Sequence, residues 1–265
     1  MIAVTGATGG LGGRVARRLA ERRIPQRLVV RDPSRAHELP NAEIKGPAGY
    51  ADGDRLHAAL RGVETLYFVP ATEDVDRLDQ HRTAIKAAAD VGVERIVYVS
   101  FQGAAADATF TFARDHFHTE ELIRATGIPF TFLRSSLYLD FIPHMVGDDG
   151  VLRGPAGDGR VAPVARDDLA DAAVGVLTSP VNAHAGRTYD LTGPEALTMA
   201  EIAGRLGATF HDETLEEAWA ARRPTGAPDW MIEGWITTYL AIARGELGRV
   251  TDHVEQLTGH PPRGL

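Results

Sequence analysis

Ile2-Ala3-Val4-Thr5-Gly6-Ala7-Thr8-Gly9-Gly10-Leu11-Gly12 follows Met1, and its reading decides the fold. Residues 2–5 are apolar and largely β-branched, which suits a short buried strand. Glycines at 6, 9 and 12 come directly after it. Glycine takes positive φ without a steric penalty, so a tight turn with a bare backbone is predicted here. Residues 11–23 then place Leu11, Val15 and Leu19 at i, i+4 and i+8, the apolar stripe of a helix. A strand running through a glycine turn into a helix is the start of a β-α-β unit.

The alternation continues along the chain. Residues 27–31, 42–45, 64–69, 94–100 and 129–133 read as strands, and residues 52–60, 74–90 and 111–125 as helices. Near-continuous apolar strands between helices belong in a parallel sheet covered on both faces. Right-handed crossovers make this an α/β fold, a Rossmann-type doubly wound parallel sheet. Residues 1–135 are read as that core. Residues 136–265 are read as the remaining sheet elements plus a small, mostly helical C-terminal part that binds substrate, packed on the core as one continuous unit. Residues 147–159, rich in Gly, Asp and Pro, read as loop or hairpin. Residues 161–164 and 188–191 look like late returns to the sheet on either side of a helix at 167–177. A capped helix is expected at 198–206, and residues from 211 onward are expected to be mostly helical.

The chain has 265 residues, 44% hydrophobic and 24% charged, enough to bury a sizeable core. It has no cysteine, which excludes a disulfide scaffold, a thiolate metal site and a cysteine nucleophile. A net charge of -8 speaks against a nucleic-acid partner, which needs a basic face. There is no basic residue before Arg14, so no secretory leader is expected, and no apolar run is long enough for a bilayer. These features predict a soluble, cytoplasmic protein without a membrane partner. Gly-x-Ser-x-Gly, His-Glu-x-x-His and a phosphate loop ending in Gly-Lys are all missing, so acyl hydrolysis, zinc proteolysis and NTP hydrolysis are not expected. His116 and His118, two apart, face different sides of a helix, and no metal site is expected.

The glycine turn carries chemistry of its own. Gly6, Ala7, Thr8, Gly9, Gly10, Leu11 and Gly12 lie between a strand and a helix, where bare backbone and free helix N–H groups receive a dinucleotide pyrophosphate. The second strand ends at Arg31, with Asp32 next and Arg35 one turn on. Two guanidiniums suit a 2′-phosphate, so Arg31 and Arg35 point to NADP, while Asp32 keeps NAD open as the cofactor. The other arginines of this region, Arg14, Arg17, Arg18, Arg22 and Arg23, are expected to be a solvated outer face.

At this point the glycine turn, the stretch Val30-Arg31-Asp32-Pro33-Ser34-Arg35 and Tyr98-Val99-Ser100 together resemble the atypical short-chain dehydrogenase/reductases. Thr119-Glu120-Glu121-Leu122-Ile123-Arg124, residues 127–134 and Leu137-Tyr138 are similar to the NmrA-like branch, which includes bacterial type 2 NAD(P)H:quinone oxidoreductases. The ending Gln256-Leu257-Thr258-Gly259-His260-Pro261 is similar to theirs. Short-chain dehydrogenases usually carry Tyr-x-x-x-Lys as the proton donor. Lys45 and Lys86 are the only lysines here, with Asn41 and Arg82 four positions before them, so the pair is absent. Judged from Glu120, Phe112 and His116 fill its two positions.

The loss has a chemical consequence. Hydride addition to a simple ketone leaves an alkoxide about as basic as hydroxide, which needs a positioned acid. Addition to a quinone leaves a phenolate whose conjugate acid has a pKa of about 10, and water can finish the reaction. An NAD(P)H-dependent oxidoreductase acting on a quinone or conjugated aromatic substrate by direct hydride transfer is therefore expected, with no metal. His116 and Tyr138 are the candidate catalytic residues. The resemblance sets Leu137 and Tyr138 beside the nicotinamide. Phe68, Val69, Pro70 and Ser100, at strand ends, are expected to wall the cofactor. Phe101, Gln102, Phe141 and Trp230 are the candidate substrate contacts. The expected partner is the small substrate, with a homodimer an open option. Two alternatives stand beside this reading. One is a redox-sensing regulator that binds NADP without turnover. The other is a tailoring reductase or oxygenase of aromatic polyketide metabolism.

Overall fold

The computed structural model describes residues 1–265. In chain order the first half runs β1 (Ile2–Thr5), α1 (Gly12–Glu21), β2 (Gln26–Val29), β3 (Ala42–Lys45), α2 (Gly53–Leu60), β4 (Thr65–Phe68), α3 (Arg77–Asp90), β5 (Arg95–Phe101), α4 (Thr111–Ala125) and β6 (Phe130–Ser135). The second half adds β7 (Val151–Gly154), β8 (Arg160–Val161), α5 (Arg166–Thr178), β9 (Arg187–Leu191), β10 (Leu197–Thr198), α6 (Met199–Arg205), β11 (Thr209–Asp212), α7 (Leu215–Arg222), α8 (Asp229–Ala243) and α9 (His253–Thr258).

Seven strands form one sheet in the order β3-β2-β1-β4-β5-β6-β9, every neighbouring pair parallel. The chain moves outward from β1 to β3, then returns across the sheet to β4. Beyond the carboxyl ends of β1 and β4, where the direction reverses, such sheets open a ligand crevice. Both faces are covered. Val15 and Leu19 of α1 and Leu169 and Val174 of α5 pack on Val4, Leu28 and Val97. Leu56, Ile85 and Ile123, from α2, α3 and α4, pack on Ala3, Leu66 and Ile96. No helix is long and apolar enough to cross a membrane.

The second half departs from expectation in two places. Residues 146–152 close a tight antiparallel turn, with Val146 bridged to Leu152, but β7 itself pairs in parallel with β11, more than fifty residues on. Residues 161–164 do not rejoin the main sheet, because β8 pairs antiparallel with β10 outside it. The glycines that suggested a loop serve close approach instead. A Cβ on Gly154 would lie 2.3 Å from the Tyr239 ring, and one on Gly159 would lie 2.1 Å from the Ile242 carbonyl, both on α8. The arginines of α1 are also corrected. Arg17, Arg22 and Arg23 are exposed, but Arg18 binds Asp171 at 2.6 Å and Asp167 at 2.7 Å, and Arg14 binds Asp167 at 3.2 Å. They join α1 to α5 across the sheet's outer layer.

Candidate functional site

The turn between β1 and α1 is built by its glycines. Gly6 has φ of 62°, and the Gly9 N–H donates to the Gly6 carbonyl at 2.9 Å. Leu11, the N-cap of α1, makes no side-chain cap, and the first turn holds no acidic residue. The helix therefore presents its first N–H groups and its positive dipole end with no protein anion in place, a binding end for phosphate.

Residues 6–12 line a cleft of about 280 Å³ with Val29, Val30 and Arg31 at the exit of β2 and Val69, Pro70, Ala71 and Thr72 at the exit of β4. This volume, near the low end of ligand clefts, suits part of a dinucleotide. Ala48 and Tyr50 close it from the loop after β3. The Ala48 N–H donates to the Val30 carbonyl at 2.9 Å, which folds that loop back over β2. The Tyr50 hydroxyl donates to the Val69 carbonyl at 2.5 Å. Thr5 ties β1 to the exit of β4: its hydroxyl donates to the Tyr67 carbonyl and accepts from the Val69 N–H.

The structure sorts the expected cofactor residues. Arg31 lines the cleft and makes no ion pair with the protein. Arg35 is exposed and lies outside the lining. Asp32 is committed elsewhere: its carboxylate accepts from the Ser34 N–H at 3.0 Å and hydroxyl at 2.7 Å. Those bonds hold it below the usual carboxylate range. Val69 and Pro70 line the cleft, but Phe68 is fully buried beneath it, edge-on to Tyr50 and His81. Ser100 is also buried; its hydroxyl donates to Glu120 at 2.6 Å and does not reach the cleft.

His116 is placed in the core, between α4 and the sheet, and not at the cleft surface. Its surroundings fix its proton. Arg77 can only donate, and its terminal nitrogen meets His116 Nε2 at 3.4 Å. Nδ1 therefore carries the hydrogen and donates to the Tyr98 hydroxyl oxygen at 2.9 Å. The same logic settles His81. The Thr119 hydroxyl donates to the Asp115 carbonyl, so it accepts from His81 Nδ1, and His81 Nε2 accepts the Ala71 N–H at 2.9 Å. Arg77 Nε donates to the Ala71 carbonyl at 3.1 Å. Two buried side chains thus grip both polar groups of a residue in the cleft wall. Burial and Arg77 push His81 down to about 3 and His116 well below its ordinary value. A histidine held neutral in this way is not a proton donor near neutrality.

Stability should follow. Unfolded, both histidines take up a proton near pH 6.5; folded, they resist it. Stability is therefore full above that value and falls as pH drops, by about 1.4 kcal/mol per pH unit for each histidine. Urea unfolding at pH 7.5, 6.0 and 5.0 measures the slope, and His81→Gln should remove its share. A flat profile across this range contradicts the assignment.

Away from the cleft, Phe112 packs its ring on α8, where a Cβ on Gly234 would lie 2.3 Å from Phe112 Cζ. Phe110 and Trp230 stand edge-on to it at 5.5 and 6.0 Å, and Phe101 meets Phe110 at 5.0 Å. Phe101 and Trp230 are thus joined in one aromatic group. Gln102 is buried and turned away, its amide donating to the Arg249 carbonyl at 2.9 Å. Phe141 is 51% exposed and meets only His144 among the aromatic rings. Leu137 packs into the cluster of the second half, and its carbonyl accepts the Val164 N–H. Tyr138 is half-buried under the Arg166 guanidinium, and burial pushes its phenol up.

Sequence reasoning missed Tyr50, Ala71 and Arg166. The first two sit in loops whose position depends on the sheet order. The third depends on a pairing with Asp140 across 26 residues. Asp168, Asp171 and His260 also cluster, but Arg18 and Arg263 already bind those carboxylates.

A model of the NAD(P)H-binding family matches residues 6–180. The chain is 34% identical to quinone oxidoreductase 2 of Escherichia coli strain K12, over 100% of this chain and 96% of that protein. It is 30% identical to the NAD(P)H azoreductase of Xenophilus azovorans, over 99% and 94% of the two chains. The crystal structure of Citrobacter sp. triphenylmethane reductase complexed with NADP(H) is similar with a TM-score of 0.86 at 32% identity, covering 98% of this chain and 95% of that one.

Proposed function

The chain belongs to the NAD(P)H-binding family, in its NmrA-like branch of atypical short-chain reductases, and is an NAD(P)H-dependent oxidoreductase that takes NADP; from that premise we propose that it reduces a quinone or a similar conjugated aromatic acceptor by direct hydride transfer.

Two side chains carry this reading. Phe112, with its ring against Gly234, offers no proton, and His116 is locked in the core. The positions of the usual acid and its partner are thus filled by groups that donate nothing to a cleft, beside an intact glycine turn. Such a site suits an acceptor whose reduced form is a stabilised anion that water can protonate. The relatives named above are described as acting on a quinone, azo compounds and triphenylmethanes.

The glycine turn fits the cofactor by its bare backbone and uncapped helix end. Bound NADPH supplies the hydride. Residues 6–12 would hold the pyrophosphate, and Arg31, with no protein anion to neutralise it, would meet the 2′-phosphate. Val69, Pro70 and Tyr50 flank the adenine half. Leu137 and Tyr138 would stand at the nicotinamide half and orient it. Phe101 and Trp230, joined through Phe110 and Phe112, offer an apolar wall for a flat acceptor and keep water from it.

Steady-state NADPH oxidation tests the reading. Turnover is expected with 1,4-benzoquinone or menadione and not with a simple aliphatic ketone. Arg31→Ala should raise KM for NADPH by roughly 10- to 100-fold, the loss of a charge-assisted bond, and leave KM for NADH little changed. Tight NADPH binding with no oxidation by any acceptor counts against it.

A further inference from the structure

Arg166, the first residue of α5, sits far in sequence from the glycine turn and yet lies against it. A Cβ placed on Gly10 would be 2.6 Å from an Arg166 terminal nitrogen. The guanidinium is oriented from behind. Its Nε donates to Asp140 at 2.5 Å, and the Arg166 backbone N–H donates to the other oxygen of the same carboxylate at 3.2 Å. The two terminal nitrogens make no hydrogen bond to the protein. The side chain is 24% exposed, so these donors are neither buried nor free in bulk water. The neighbouring cation differs in this respect. Arg14 spends its guanidinium on the Gly10 carbonyl at 2.7 Å and on Asp167 at 3.2 Å.

The flank of Arg166 matters equally. Its guanidinium carbon stands 5.5 Å from the centre of the Tyr138 ring. It therefore touches the glycine turn on one side and the tyrosine on the other. A dinucleotide seated on the glycine turn as proposed above would bring its phosphates beside Gly10, within reach of this guanidinium.

We infer that Arg166 is a phosphate-binding residue, which clamps the cofactor's pyrophosphate from the α5 side, opposite the backbone of the glycine turn. This rests on the cofactor placement proposed above. The carboxylate of Asp140 fixes the fork so that its outer nitrogens point together toward the anion, the geometry in which arginine binds phosphate best. The Tyr138 ring packs beneath the fork and limits its swing. Binding thereby couples the N-terminal turn to the segment 138–140.

Fluorescence titration with NADPH, and displacement of NADPH by adenosine 2′-monophosphate, separate the two cations. The fragment carries the 2′-phosphate and lacks the pyrophosphate. Arg166→Met should weaken NADPH roughly 10-fold or more and leave the fragment's affinity within about twofold. Arg31→Met should weaken both. Arg166→Lys, which keeps the charge and loses the fork, should fall between wild type and Arg166→Met for NADPH and match wild type for the fragment. Thermal unfolding of each variant shows whether it is folded. Unchanged NADPH affinity in folded Arg166→Met overturns the assignment, as does equal weakening of NADPH and the fragment. Wild-type protein that takes up neither ligand overturns the cofactor placement itself, and this assignment with it.

Discussion

Gly12→Val should lose NADPH affinity by at least about a hundredfold and lower stability by about 2–4 kcal/mol. A Cβ at this position would lie 2.4 Å from the Gly6 carbonyl oxygen, 2.6 Å from its carbon and 2.7 Å from the Thr5 oxygen. All three atoms are backbone, so no side chain can swing aside. The start of α1 would have to retreat from β1, which moves the helix N–H groups away from the site they serve. Gly62→Ala is the control. Its φ is 75°, so alanine is strained there, but nothing lies within 4 Å of the added carbon. A loss of about 1 kcal/mol with unchanged binding is expected. Urea unfolding and NADPH titration read both effects. Gly12→Val protein that binds like wild type would contradict the described turn.

Glu120→Ala is expected to give the largest loss of stability, about 3–5 kcal/mol. Glu120 is fully buried on α4. Arg134 of β6 donates to both of its oxygens, at 2.8 and 2.7 Å, Ser100 of β5 donates at 2.6 Å, and Arg124 donates at 3.2 Å. Removing the carboxylate leaves a half-buried guanidinium and a buried hydroxyl without their acceptor. The double variant Glu120→Leu, Arg134→Met should recover most of the loss, because an apolar pair of similar size replaces both charges. Equilibrium unfolding of the three proteins measures this. A loss under about 1 kcal/mol for the single variant would show that the pair holds little of α4 in place.

The parts that were legible in the sequence are those set by local chemistry. The spacing of Gly6, Gly9 and Gly12 gives the turn, because a turn and a helix start are decided within a dozen residues. The bounds of α4 at 111 and 125 follow from helical periodicity. Arg31 enters the cleft because it stands two residues past the end of β2, the strand next to β1. What escaped depends on distant partners. His116 looks like a titrating surface group until Arg77 and Tyr98, from other elements, enclose it. Ser100 stands at the strand end where ligands bind, yet Glu120 claims it from α4. Gly154 and Gly159 resemble loop glycines and serve instead as contact points for α8. Nothing within ten residues of Arg166 announces that it meets Gly10.

The last strand of the sheet, β9, comes from residues 187–191, and the arginines of α1 find their carboxylates on α5. On the ribosome, the amino-terminal two thirds must therefore emerge before its first helix has its charges answered and before β6 gains a neighbour along its outer edge. Until then the nascent chain carries an open ladder of backbone donors and acceptors, which another copy can pair with. A folding helper that holds this border from the emergence of β6 until β9 follows it would raise the yield of folded protein, whereas one that acts after β9 has paired would have nothing to shield.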